Sequence, residues 1–76
     1  MAVKIYTTST CPWCKKAKEF FKDNNIKYDE VDVTTNEKGR DEMIEKSGQM
    51  GVPVIDVNGT IIIGFDVEKL KSALKL

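Results

Sequence analysis

The chain has 76 residues, which is enough for one domain spanning residues 1–76 and too few for a second. Its 12 basic and 12 acidic residues cancel, so no overall field attracts nucleic acid or an anionic membrane. No apolar run approaches the roughly 20 residues of a membrane span, and the first residues lack the apolar core of a signal peptide. We therefore expect a cytoplasmic protein that works as a monomer.

The first half of the chain predicts a strand followed by a helix. Apolar and polar residues alternate over 3–7, which is typical of a strand. A helical pattern runs from 12 to about 24, and its opening proline suits a first-turn position because the missing N–H costs nothing there. Cys14, Ala17 and Phe21 recur at i, i+3 and i+7, so this helix should bury one apolar stripe.

The remainder of the chain predicts three strands and two helices. These are a strand over 27–33, a helix over 37–46, strands over 52–57 and 60–63, and a helix over 66–76. Asn58-Gly59 between the last two strands indicates a tight hairpin, because a type I′ turn needs positive φ at both central residues.

The predicted order is therefore β-α-β-α-β-β-α. The first β-α-β unit should cross over right-handed and pair its strands in parallel, while the hairpin adds an antiparallel pair. The predicted class is α/β, with three helices distributed over both faces of a mixed four-stranded sheet. A Cys-x-x-Cys motif directly after the first strand is typical of the thioredoxin-like fold.

Cys11 and Cys14 are the only cysteines, and they lie at the start of the first helix. The free N–H groups and the positive end of the helix dipole stabilise a thiolate at Cys11. Cys14 lies on the buried stripe, where apolar surroundings keep a thiol protonated. The motif predicts thiol–disulfide exchange. The alternatives are a core role for Cys14 and a metal site, although tetrahedral zinc needs four ligands and the chain has two cysteines and no histidine.

Three segments resemble the glutaredoxin family, and the similarity extends over essentially the whole chain. They are Thr-Cys-Pro-Trp-Cys at 10–14, Gly-Val-Pro-Val at 51–54 and Ile-Gly-Phe-Asp at 63–66. Glutaredoxins typically have Cys-Pro-Tyr-Cys, Thr-Val-Pro and Gly-Gly-Cys-Asp there. The chain is also similar to the short NrdH-like redoxins that serve ribonucleotide reductase, which tend to have Gly-Val-Pro and Gly-Phe.

The resemblance implies roles for the residues of the first two segments. Cys11 would attack a substrate disulfide and Cys14 would resolve the mixed disulfide. Pro12 and Trp13 would contact the substrate, with Trp13 as an exposed wall in place of the family tyrosine. The bond between Val52 and Pro53 would be cis and would present the Val52 backbone to an extended substrate. Locally, Trp13 could instead pack on the sheet, and Pro53 could simply begin a strand.

The resemblance also implies how glutathione would be held. Gly64, Phe65 and Asp66 would bind its γ-glutamyl end at the start of the last helix, and Arg40 would bind its glycyl carboxylate. Each also has a structural alternative: Asp66 as a helix cap, Phe65 as a core residue and Arg40 as a plain surface residue. The family's lysine before the first cysteine is missing, and Gly51 and Ile63 replace a family threonine and glycine. These departures weaken the glutathione assignment.

The resulting prediction is a dithiol glutaredoxin that reduces protein disulfides or glutathione mixed disulfides. It would use glutathione as a co-substrate and hold no tightly bound cofactor and no metal ion. Two alternatives stay open. One is an NrdH-like redoxin reduced by thioredoxin reductase. The other is a dimer that binds an iron–sulfur cluster with the help of glutathione, as some glutaredoxins do through their first cysteine.

Overall fold

The computed structural model describes residues 2–76 and contains the seven elements in the predicted order. They are β1 (Val3–Thr7), α1 (Pro12–Asp23), β2 (Asp29–Asp32), α2 (Glu37–Ser47), β3 (Val54–Val57), β4 (Thr60–Ile63) and α3 (Val67–Leu74). Within residues 2–76, no helix is long and apolar enough to cross a membrane.

The four strands form one mixed sheet in the order β2-β1-β3-β4. β1 and β2 are parallel, whereas β3 runs antiparallel to both β1 and β4. The thioredoxin-like fold predicted from the sequence is thereby confirmed. β2 is shorter than the predicted strand over 27–33, because it pairs only with residues 4–7 of β1. β3 begins at Val54, which pairs with Tyr6, and not at residue 52.

Both faces of the sheet are covered by helices, as predicted. α1 and α3 pack on one face, where they bury a core made of Val3, Ile5, Ala17, Phe21, Ile55, Val57, Ile62, Leu70 and Leu74. α2 packs on the other face, where its Met43 joins Tyr6, Val33 and Val54 in a second core. Tyr6, which shares a strand face with Lys4, is fully buried because α2 lies over it.

Charged side chains tie α2 to β1 and β3. Lys46 lies 2.8 Å from Asp56 and 3.2 Å from Glu42, and Glu42 lies 3.1 Å from Lys4. The buried Tyr6 hydroxyl donates to the Glu42 carboxylate and accepts from the Lys46 ammonium at 3.1 Å. The Tyr6 hydroxyl bond, helped by Lys4 and Lys46, lowers the pKa of Glu42 to about 2. This network connects the middle of α2 to the sheet.

Gly39 allows the start of α2 to approach β2 closely. A Cβ atom built at Gly39 would lie only 2.3 Å from Cγ1 of Val31, far inside van der Waals contact. Its amide also donates a bond of 2.9 Å to the side-chain Oδ1 of Asn36, the N-cap of α2. The first turn of α2 is therefore seated directly on the sheet.

The topology brings all three helix N-termini to one edge of the sheet. β1 and β2 are parallel, so the loops from both lead into α1 and α2 at this edge. β3 starts at the same edge because it is antiparallel to β1, and β4 ends there and leads into α3. We call this the helix-start edge. The N-caps Cys11, Asn36 and Asp66 all lie along it.

Candidate active site

Cys11 occupies the N-cap of α1, where the extended strand backbone turns into the helix. Its φ and ψ are −93° and 108°, and its Sγ accepts a bond of 3.1 Å from the amide of Cys14. The side chain is half-buried, so a substrate can reach the sulfur. The amide N–H of Cys14 and the N-terminal end of the α1 dipole are thus both directed at this sulfur.

Cys14 lies one helical turn further on and is 1% exposed. Burial, together with the hydrogen bond and charge of Cys11, raises the pKa of Cys14 to about 12, while a backbone hydrogen bond with Thr8 acts in the opposite direction. Both cysteines are free thiols. The two sulfurs therefore have different environments: one is accessible and lies at a helix N-terminus, and the other is buried and protonated.

A shallow cleft of about 240 Å³ lies beside this pair, at the helix-start edge. Its lining residues are Trp13, Val52, Pro53, Gly64 and Phe65. Trp13 is 54% exposed and stands at the side of the cleft, with its ring centroid 6.5 Å from that of Phe65. Phe65 in turn packs edge-on against Phe20 of α1, with a centroid separation of 6.0 Å. Phe65 thus contributes to the core and to the cleft at once.

The backbone around Pro53 is arranged as the resemblance implies. The peptide bond between Val52 and Pro53 is cis. The carbonyl of Pro53 accepts a bond of 2.8 Å from the amide of Gly64, which joins the two loops that line the cleft. Among residues 2–76, no backbone group bonds to the amide or carbonyl of Val52. These two groups remain available to an extended chain bound in the cleft.

The start of α3 forms the far end of the cleft. Asp66 is the N-cap, and its carboxylate accepts the amide of Lys69 at 3.1 Å. Gly64 has a φ of 80°, which lets the chain turn from β4 towards α3. Within the described part of the chain, the amides of Phe65 and Asp66 have no acceptor. Asp66 is therefore a helix cap, and the amides beside it remain free to bind an anion.

Pro12 and Arg40 lie outside the lining of the cleft. Pro12 is the exposed first residue of α1 and follows Cys11 directly. Arg40 is exposed near the start of α2, so it lies towards the helix-start edge, but it does not line the cleft. None of the salt bridges formed by residues 2–76 involves Arg40.

Three further residues near the cleft were not singled out as site residues from the sequence. The ammonium of Lys16 lies 4.5 Å from the ring centroid of Trp13, and the i, i+3 spacing of the two residues could have indicated this contact. Met50 and Ile63 are 68% and 55% exposed, and they flank the loops that carry Val52 and Gly64. In residues 2–76, no group of three or more His, Cys, Asp or Glu side chains is placed to hold a metal ion.

Comparison with known proteins identifies the family. A family model described as glutaredoxin matches residues 3–62. The chain belongs to the glutaredoxin family. It is therefore a thiol–disulfide oxidoreductase, with the Cys-x-x-Cys pair at the start of α1 as its redox-active centre.

Several glutaredoxin relatives match along most of their length. An uncharacterized glutaredoxin-like 8.6 kDa protein in the rubredoxin operon of Clostridium pasteurianum is 51% identical over 71 residues, which cover 90% of this chain and 95% of that protein. Glutaredoxin 3 of Escherichia coli strain K12 is 38% identical over 64 residues, which cover 84% and 77%. The crystal structure of a glutaredoxin from Archaeoglobus fulgidus superposes with a TM-score of 0.89 at 29% identity, covering 100% of this chain and 89% of that one.

Proposed function

We propose that this glutaredoxin is a glutathione-dependent dithiol enzyme that reduces protein disulfides and glutathione mixed disulfides. The observation that carries the proposal is the unequal cysteine pair. Cys11 is accessible, with the amide of Cys14 3.1 Å from its sulfur, whereas Cys14 is buried. An accessible thiolate and a protected thiol are what a two-step exchange requires, because the thiolate is the attacking species.

In the first step, the Cys11 thiolate attacks one sulfur of the substrate disulfide. The new bond joins Cys11 Sγ to that sulfur, the substrate S–S bond breaks, and the second substrate sulfur leaves as a thiolate that takes a proton from solvent. Cys14 stays out of this step because its pKa, raised to about 12 mainly by burial, keeps it protonated at neutral pH.

In the second step, Cys14 loses its proton and attacks Cys11 Sγ. The Cys11–Cys14 disulfide forms, the mixed disulfide breaks, and the remaining substrate sulfur leaves as a thiol after protonation. Part of the rise in the pKa of Cys14 comes from the hydrogen bond and charge of Cys11. That part disappears once Cys11 is bound in a mixed disulfide, so Cys14 ionises more readily at the step in which it attacks.

Glutathione would then return the protein to its dithiol form and would bind in the cleft. One glutathione attacks the Cys11–Cys14 disulfide to give a mixed disulfide on Cys11, and a second releases it as oxidised glutathione. The free backbone groups of Val52 would pair with the peptide, and the free amides of Phe65 and Asp66 would receive its γ-glutamyl carboxylate. Arg40, near the start of α2 at the same edge of the sheet, would bind the glycyl carboxylate.

Exposed apolar side chains favour a second candidate, in which thioredoxin reductase is the electron donor. Met50 lies two residues before Val52, and Ile63 directly precedes Gly64; both are more than half exposed. These two side chains and the 54% exposed Trp13 leave three large apolar groups exposed on α1 and on the loops that carry Val52 and Gly64. Exposed apolar patches often mark protein interaction sites, and a reductase would bury this one.

Comparing the two reducing systems on one oxidised sample distinguishes these candidates. The Cys11–Cys14 disulfide form is mixed either with glutathione and glutathione reductase or with thioredoxin reductase, and NADPH consumption is followed in each. We expect rapid reduction by glutathione and little by the reductase. The reverse result would contradict glutathione dependence and favour the second candidate. Visible absorbance and bound iron in freshly purified protein would instead favour the iron–sulfur alternative.

A further inference from the structure

We infer that Lys16 is a positioning residue that holds the indole of Trp13 as a wall of the substrate cleft. The ammonium of Lys16 lies 4.5 Å from the ring centroid of Trp13, within the distance at which a cation is attracted to the negative face of an indole. No residue of the described chain competes for this ammonium through a salt bridge. The ammonium is therefore not drawn away from the ring by a carboxylate.

Trp13 needs such a contact because the fold holds it only in part. Cys14 and Ala17, one and four residues further along α1, are buried, but Trp13 is turned outward and is 54% exposed. Phe65 contacts one side of the ring, at 6.5 Å between centroids and a tilt of 35°. Without a second contact, the indole could rotate about its side-chain bonds and open the wall of the cleft. Lys16, one helical turn away, supplies that contact.

The neighbouring lysine shows that charge alone does not explain the arrangement. Lys15 is exposed on the same helix and carries the same charge, but it lines a separate polar surface with Lys18, Lys22 and Tyr28. Lys15 therefore offers a matched control for the loss of one positive charge close to Cys11. Substituting Lys16 should change the position of the indole, and substituting Lys15 should not.

This inference rests on the proposed role of the cleft as the substrate site, so its test uses one measurement that needs no substrate. Trp13 is the only tryptophan in the chain, and its fluorescence therefore reports one side chain. Lys16→Met removes the charge and keeps an unbranched side chain of similar length. Acrylamide quenching of Trp13 should be stronger in Lys16→Met than in the wild type, while Lys16→Arg and Lys15→Met should match the wild type.

The second measurement is the rate constant for oxidation of the reduced protein by hydroxyethyl disulfide. This substrate is uncharged and needs no reductase, so neither long-range attraction nor the identity of the reductant affects the result. Lys16→Met should slow the reaction about two- to fivefold, which corresponds to about 0.5–1 kcal/mol, the contribution of an exposed cation–π contact. Lys16→Arg should restore the rate.

Two results would overturn the inference. If Lys16→Met leaves the quenching of Trp13 unchanged, Lys16 does not hold the indole. If Lys15→Met slows the reaction as much as Lys16→Met, the slower rate is caused by the loss of a positive charge near Cys11 and not by a change in the position of the Trp13 indole. A protein that fails with glutathione but shows the expected quenching pattern would contradict the proposed function while leaving the role of Lys16 intact.

Discussion

Replacing Gly39 with alanine should destabilise this glutaredoxin, even though alanine is the better helix former. An alanine Cβ would lie 2.3 Å from Cγ1 of Val31 and 3.2 Å from Cγ of Asn36. Val31 is β-branched and stiff at χ1, so its methyl group cannot easily move away. Asn36 caps α2 through the amide of Gly39, so the new methyl group also disturbs the cap.

The opposing effects can be compared in magnitude. Alanine in a helix interior gains about 1 kcal/mol over glycine. Overpacking of a tight contact costs about 1–3 kcal/mol, and loss of an N-cap costs about 0.5–2 kcal/mol. The net change for Gly39→Ala is therefore a destabilisation of about 0.5–4 kcal/mol. For a chain of this size, each kcal/mol lowers Tm by about 4–8 °C.

Urea unfolding followed by circular dichroism measures the free energy of unfolding of Gly39→Ala, Val31→Ala and the double variant. Val31→Ala removes the methyl group that the new Cβ would meet. In that background only the contact with Asn36 remains, so Gly39→Ala should be clearly less destabilising than in the wild type, and the two substitutions should not be additive. A stabilising effect of Gly39→Ala in the wild-type background would show that α2 does not pack so closely on β2, and would refute the reasoning.

Two further predictions concern α2. Because the pKa of Glu42 is lowered from 4.5 to about 2, Glu42 contributes stability above about pH 5 that is lost as the pH falls towards 2. The free energy of unfolding should therefore fall less steeply over this range in Glu42→Gln than in the wild type, and an equal slope would contradict the role of the Tyr6 network. Arg40→Ala should raise the KM for glutathione several-fold with kcat nearly unchanged, because the lost contact would stabilise the bound ground state and the transition state equally. Lys38→Ala, exposed on the same helix, is the control, and an equal effect there would remove Arg40 from the glutathione site.

The order of elements could be predicted from the sequence because strong local signals separate them. Asn36 and Gly48 cap α2 close to the predicted bounds of 37–46, Asp66 caps α3, and Asn58 and Gly59 adopt positive φ in the hairpin. Local signals also indicate the unequal cysteine pair, since the start of a helix and its buried stripe are both visible in the spacing of residues. Helix caps, tight turns and residues at the start of a helix depend mainly on the local sequence, and they can therefore be predicted from it.

Features that depend on contacts between elements could not be predicted in the same way. The alternation over β1 places Tyr6 beside Lys4, but only the packing of α2 makes it a buried residue. The close approach of Gly39 to Val31 depends on how α2 is placed against β2. Local propensities do not determine that placement. The cis bond before Pro53 came from the resemblance to the family, because local sequence rarely distinguishes cis from trans. The i, i+3 spacing of Trp13 and Lys16 allows a contact, but only the side-chain positions show that the ammonium lies over the ring.

The central claim is that Cys11 attacks and Cys14 resolves, and trapping of the mixed disulfide tests it most directly. Reduced Cys14→Ser and Cys11→Ser proteins are each mixed with oxidised glutathione at neutral pH, and intact mass is followed over time. Cys14→Ser should rapidly gain one glutathione on Cys11 and keep it, because the resolving thiol is gone. Cys11→Ser should react orders of magnitude more slowly, because its remaining thiol is buried. Equal rates of adduct formation in the two variants, or loss of the adduct from Cys14→Ser without added thiol, would contradict the division of roles.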